Sequence, residues 1–290
     1  MAEHDTLRRF IFEHLPVQGR HVHLDASWRA VLERQSYPAP VRALLGEALA
    51  AMALLSATLK YEGTLTLQIQ GGGPVSLLVV QCTSRLNLRG LAHWRDGPLP
   101  SALKELLGDG RLAITIEPAG QGERYQSIVP LEGADLAACL EGYFQRSEQL
   151  PTRLWLAAGR DSAAGLLLQV MPQRAQSPEA WRHVTVLADT VSGEELNVLS
   201  AEQLLHRLYH EEDLRLFESA PVSFRCRCSR AGIEDTLRGL GAGEVRGILR
   251  EQGRVHVDCE FCGRGSDFDG VDVEELFGTT VRTLSSEVRH

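Results

Sequence analysis

Aromatic side chains are scarce in this chain of 290 residues, at 6%, and lysine is nearly missing, with only Lys60 and Lys104. An excess of positive charge is lacking too, since 30 Lys and Arg stand against 38 Asp and Glu. A net charge of −8 argues against general electrostatic binding to nucleic acid. No apolar run reaches the ~18 to 20 residues that span a bilayer. The longest, residues 44–59 (LLGEALAAMALLSATL), also contains Glu47, so it reads as a buried helix and no membrane partner is expected. The first fifteen residues carry early acids and no apolar signal core, so a cytoplasmic location with reduced thiols is expected. Collagen, disorder and coiled coil are excluded by 43% hydrophobic and 23% charged residues without a repeat. No Ser/His/Asp set and no paired carboxylates stand out, so an enzyme is not expected. What is present is cysteine: six in all, of which Cys226, Cys228, Cys259 and Cys262 fall close together near the end of the chain.

The chain reads as an α+β fold in three parts. Residues 1–175 form an N-terminal mixed domain with antiparallel sheets. Residues 6–14 are expected as a short amphipathic helix and residues 17–24 as a strand. Pro38 and Pro40 open a helix over 39–58, apolar on most of its circumference. The runs TLTLQIQ (64–70) and VSLLVVQ (75–81), joined through GGGP, predict an antiparallel hairpin. Further strands are expected at 86–93, 112–117, 125–129, 152–157 and 163–171, with helices near Leu103 and over 134–144. Residues 176–220 read as a helical linker with helices at 179–191 and 201–209. Its stretch 193–220 has seven acids against Arg207 and Arg215, and few side chains to fill a core, so it is expected to be held loosely. Residues 221–290 hold the four cysteines, helices at 233–240 and 243–251 and a strand at 254–257. So small a unit with few large apolar side chains cannot fold unaided, and something must staple it.

The cysteine spacing names the staple. In extended chain, residues i and i+2 share a face, so Cys226 and Cys228 in C-R-C can address one ion. Cys259 and Cys262 in C-E-F-C form a knuckle closed by Gly263. Four thiolates make a complete tetrahedral site with no open position, so a single structural Zn²⁺ per chain is expected. Such an ion would tie residue 226 to residue 262 and contribute on the order of 10–16 kcal/mol. Four cysteines allow three disulfide connectivities. Bridges within each pair would close tiny rings and abolish the staple, whereas crossed bridges would keep it.

With this motif in place, the chain resembles the redox-regulated 33 kDa chaperonin family of heat-shock holdases. The segments 44–81, 142–157 (GYFQRSEQLPTRLWLA) and 204–229 (LLHRLYHEEDLRLFESAPVSFRCRCS) carry the same resemblance, so it spans nearly the whole sequence. Ser127, Gly232 and Ser266 stand where the family commonly has glycine, arginine and an aromatic. The resemblance implies a cytosolic protein that is inactive when reduced and zinc-bound. It implies that oxidation forms the disulfides Cys226–Cys228 and Cys259–Cys262, releases zinc, unfolds the C-terminal module and destabilises the linker. The activated homodimer would then bind unfolding client proteins without ATP or any other nucleotide.

Other features read more plainly. The CxxC at 259–262 lacks the strand-to-helix context of a thiol oxidoreductase. A nucleic-acid-binding zinc ribbon is disfavoured, because residues 221–265 hold eight arginines against six acids and four thiolates with one Zn²⁺ cancel that excess. GGGP at 71–74 lacks the Lys-Ser/Thr of a phosphate loop. His206 and His210, one helical turn apart, have no third ligand in view, and Cys82 and Cys139 read as small buried hydrophobes.

Overall fold

A computed structural model describes residues 5–120, 122–172 and 177–278. The chain divides into two compact units, Met1–Arg225 and Cys226–His290. The segment 177–220, read above as a linker, belongs to the first of these, and the 175/176 boundary lies outside the described residues.

The larger unit is built on two sheets with a helix against both. In chain order its elements are β1 (Thr6–Phe12), β2 (Val17–Leu24), α1 (Ala26–Leu32), α2 (Ala39–Thr58), β3 (Gly63–Gln70), β4 (Val75–Thr83) and β5 (Asn87–Trp94). Then come α3 (Leu103–Leu107), β6 (Arg111–Pro118), β7 (Tyr125–Val129), α4 (Leu136–Tyr143), β8 (Thr152–Ala158) and β9 (Ala163–Val170). Helices α5 (Pro178–Ala188), α6 (Gly193–Val198) and α7 (Ala201–Tyr209) follow, and then short strands β10 (Leu214–Leu216), β11 (Ala220–Pro221) and β12 (Ser223–Phe224). The first sheet runs β10-β1-β2-β9-β8, with β11 also on β1, and the second runs β12-β5-β4-β3-β6-β7. Helix α2 packs against β2, β8 and β9 of the first and β3, β4 and β5 of the second, which is why it is apolar nearly all round. Leu45, Leu49, Met52, Leu54 and Leu55 are fully buried, so its length and apolarity serve a core.

The expected hairpin is present, β3 pairing with β4 in register from Thr64 with Thr83 to Gln70 with Leu77. The GGGP turn packs on α3, where the Gly73 N–H donates to the Leu107 carbonyl at 2.9 Å. The expectation of a helix at 6–14 is overturned, because residues 6–12 form strand β1. Leu7, Phe10 and Ile11 mimic helical spacing, yet Leu7 belongs to the core under α2 while Phe10 and Phe12 enter a second core on the opposite face. A strand buried on both faces shows no clean alternation. Phe10 lies over Gly19 of β2, where a Cβ would come within 2.1 Å of its ring. Helix α1, capped by Asp25, was not anticipated.

The linker helices are better filled than their composition suggests. Val184, Ala188, Leu196, Leu204, Leu205, Leu208 and Tyr209 are buried in that second core with Phe10, Phe12, Leu166 and Leu168. Ser192 and Ser200 open α6 and α7 with capping boxes through Glu195 and Gln203. Strong amphipathicity concentrates the few apolar residues on one stripe, which an average over the segment hides.

The smaller unit contains α8 (Arg230–Leu240), α9 (Ala242–Gln252), the antiparallel hairpin β13 (Val255–Asp258) and β14 (Gly265–Phe268), and α10 (Gly270–Phe277). Its core is Leu237, Val245, Val255, Phe268 and Val273, with Ile233, Ile248, Leu249, Val257, Leu276 and Phe277 half-buried around it.

Candidate metal centre

The four cysteines converge although thirty residues separate the pairs. Each half-site is built locally. Around the first, Arg225 and Arg227 are exposed while Cys226 and Cys228 are half-buried, the alternation expected of extended chain. Ser229 then caps α8, its Oγ accepting from the Gly232 N–H at 3.1 Å, which stops the extended stretch just after Cys228. Glycine at 232 is the residue whose N–H donates to this cap.

The second half-site is the loop of the β13–β14 hairpin. The N–H groups of Cys262 and Gly263 both donate to the Cys259 carbonyl, at 3.2 and 2.7 Å, and the Cys259 N–H donates to the Arg264 carbonyl at 3.0 Å. Gly263 has a φ of 63°, the left-handed conformation that favours glycine. Beneath the loop, the His256 ring lies 2.8 Å (Nδ1) from Asp267 Oδ1 and 3.1 Å (Nε2) from Asp258 Oδ1, joining the two strands. Those carboxylates, Asp267 first, raise the His256 pKa. Sequence reasoning missed this clasp and the closing helix α10. The only signal was the pattern VHVD followed by DF, too short to read as a hairpin.

Cys226 Sγ lies 3.6 Å from Cys259 Sγ and Cys228 Sγ lies 3.4 Å from Cys262 Sγ, and all four sulfurs fall within 4.8 Å of one another. Disulfide sulfurs sit at about 2.0 Å, so these are four free thiols. A tetrahedron of sulfurs about 2.3 Å from a zinc ion has edges of about 3.8 Å. The cluster fits that size, and its four soft donors could hold a metal ion. Among the described residues it is the one grouping of this kind. Burial pushes the Cys226 thiol up, but the Cys228 backbone N–H and the thiols of Cys262, Cys228 and Cys259 outweigh it and bring Cys226 down to about 7. Burial and the same neighbours raise Cys228 and Cys259. Four thiolates this close together would repel one another, so a cation at the centre is what would allow all of them to ionise.

The remaining candidates do not gather. Cys82 and Cys139 are buried far along the chain from the cluster, and burial pushes Cys82 up to about 12, which makes it inert. His206 and His210 are both exposed, with rings 6.1 Å apart.

Comparison with known proteins agrees with this geometry. The family described as Hsp33 protein matches residues 5–269. The 33 kDa chaperonin of Nitrosococcus oceani is 51% identical, with both chains covered in full, and that of Methylobacillus flagellatus is 46% identical over 99% of each. The crystal structure of the 33 kDa chaperonin from Thermotoga maritima superposes with a TM-score of 0.82 at 25% identity, covering 94% of this chain and 98% of that one. A shared fold, matched from end to end and carrying this cysteine cluster, places the chain in the Hsp33 family of chaperones.

Proposed function

We propose that the protein is an ATP-independent holdase switched by oxidation, with Cys226, Cys228, Cys259 and Cys262 holding one Zn²⁺ in the reduced, inactive state. The observation that carries this reading is the convergence of four sulfurs in a unit whose own core is five side chains. Bound zinc supplies cohesion there and no Lewis-acid chemistry, since the protein fills all four positions. Ser229, Gly263 and the His256 clasp hold the sulfurs in place.

Oxidation by peroxide or hypochlorite removes two electrons from each cysteine pair, forming Cys226–Cys228 and Cys259–Cys262, and the oxidant is reduced to water or chloride. Sulfurs paired in this way no longer hold the ion, and the small rings they close do not tie residue 226 to residue 262. The module then unfolds, and the segment joined to it at Arg225 loses its anchor. A homodimer forms and captures unfolding proteins in the cytoplasm. Nucleic acid, nucleotide and membrane play no part.

The test is zinc content together with light scattering from a thermally unfolding client, before and after peroxide. The expected result is one zinc per reduced chain, lost as anti-aggregation activity appears. Activity independent of oxidant, or zinc retained by the active form, would overturn it.

A further inference from the structure

Residues 213–222 lie along the outer edge of β1 as a strap. Leu214 stands opposite Phe12, Arg215 opposite Ile11 and Leu216 opposite Phe10, all antiparallel. Ala220 and Pro221 continue opposite Leu7 and Thr6. The Glu13 N–H donates to the Asp213 carbonyl at 2.9 Å, while the Arg9 and Asp5 carbonyls accept from Phe217 and Val222 at 3.0 and 2.7 Å. By the alternation of an antiparallel ladder, the N–H and C=O groups of Leu7, Arg9 and Ile11 face the strap, and those of Arg8 and Phe10 face β2. Pro221 falls at a position whose missing N–H is not needed for pairing.

Backbone pairing holds the strap along its length, and at its end Val222 is buried in the core under α2 with Ala220 packed against it. Its side-chain ties include the Arg215–Glu13 ion pair at 2.6 Å, the exposed His14–Asp213 pair at 3.1 Å and Arg9 over the Phe217 ring at 5.0 Å, solvent-screened contacts that add little. Leu214 and Leu216, two residues apart, pack half-buried on the core that contains Phe10 and Phe12. These requirements are met by any extended chain of about five residues or more with apolar side chains at alternate positions. Other sheet edges exist, on β7 and β8, and the same segment covers β5 through the two residues of β12, but its longer cover lies on β1 and runs into Cys226 through β12 and Arg225.

We propose that the outer edge of β1 is a client-docking site, uncovered when the strap departs and refilled by an extended segment of an unfolding protein that adds as a strand. This rests on the holdase reading above and gives it a location. The ordered strap shields the edge in the resting state, as natural sheets shield theirs. A client strand would restore the lost ladder and seat its alternate apolar residues over Phe10 and Phe12.

The experiment is residue-resolved hydrogen exchange on the full chain in three states: reduced, peroxide-oxidised, and oxidised with reduced carboxymethylated α-lactalbumin as a permanently unfolded client. The Leu7, Arg9 and Ile11 amides should exchange slowly when reduced, quicken by about a hundredfold or more on oxidation, and slow again by about tenfold or more with client. Arg8 and Phe10 should stay slow throughout. A peptide of residues 213–222 (DLRLFESAPV) should compete with client capture, and the same peptide carrying Leu216→Pro should not. Edge amides that stay slow on oxidation, that recover without client as in pairing of two copies, or that stay fast while light scattering shows capture would each overturn the proposal. In the last case the holdase reading survives. Absence of any capture by the oxidised chain overturns both.

Discussion

The two units of this protein solve the same problem with unequal means. The larger one packs a mostly buried helix between two sheets, and its core contains Trp28, Leu45, Leu49, Met52, Leu54 and Leu55 at essentially zero exposure. The smaller one buries Leu237, Val245, Val255, Phe268 and Val273 and surrounds them with exposed ion pairs such as Arg246–Glu274 and Arg230–Asp272. A core of that size contributes little more than the chain entropy it must offset. On the function proposed above, the difference teaches where a switch would belong: in the unit with the small core, whose stability would rest on one removable bond set, and not in the unit with the large one.

The largest expected effect comes from removing the staple. Chelation of the reduced protein, or Cys262→Ser, should unfold residues 226–278 while leaving 5–225 intact, a loss on the order of 10 kcal/mol. Limited proteolysis and NMR of the two units check this, and joint unfolding would break the contrast. Next come cavity mutations. Phe268→Ala should cost about 3–5 kcal/mol and Leu54→Ala about 2–5 kcal/mol. The first should lower the oxidant concentration at half-activation several-fold, whereas the second should lower only the denaturant midpoint of the larger unit.

A smaller effect is pH dependence within the larger unit. His21 is buried under the linker helices, and burial, then His23 and Arg8, lower its pKa to about 3. Unfolding returns it to about 6.5, so the unfolded chain binds the extra proton between these values. Stability is therefore full above pH 6.5 and falls as pH drops toward 3, by up to about 1.4 kcal/mol per unit. Urea midpoints from pH 7 to 5 measure the slope, which His21→Gln should flatten. The smallest change belongs to Arg246→Ala, whose exposed, solvent-screened pair with Glu274 at 2.9 Å should leave the module's denaturant midpoint almost unmoved.

Much of this was legible in the sequence where one residue pattern has one structural solution. Pro38 and Pro40 before a long, largely apolar run mark α2, GGGP between alternating runs marks the β3–β4 turn, and paired cysteines mark the cluster. Legibility failed where two faces are buried at once, as in β1, whose Leu7, Phe10 and Ile11 imitate a helix. It failed again where strands are two or three residues long and exist only through their partners, as with β10, β11 and β12 on β1 and β5. The linker looked poorly filled because its charge is on one face and its leucines on the other. At the site, the ligand types and spacing were readable, but the His256 clasp depends on a hairpin register no local pattern specifies.

The central claim is that oxidation pairs neighbours in sequence and so dissolves the long-range tie. Crossed bridges, Cys226–Cys259 and Cys228–Cys262, join the sulfurs that stand 3.6 and 3.4 Å apart and would lock the module shut, since loops of more than thirty residues preserve a stabilisation of about 3–4 kcal/mol each. Disulfide mapping by mass spectrometry on peroxide-treated, zinc-free, active protein decides between them. Peptides linked Cys226–Cys228 and Cys259–Cys262 are the predicted result, and a Cys226–Cys259 or Cys228–Cys262 bridge in the active form would contradict it.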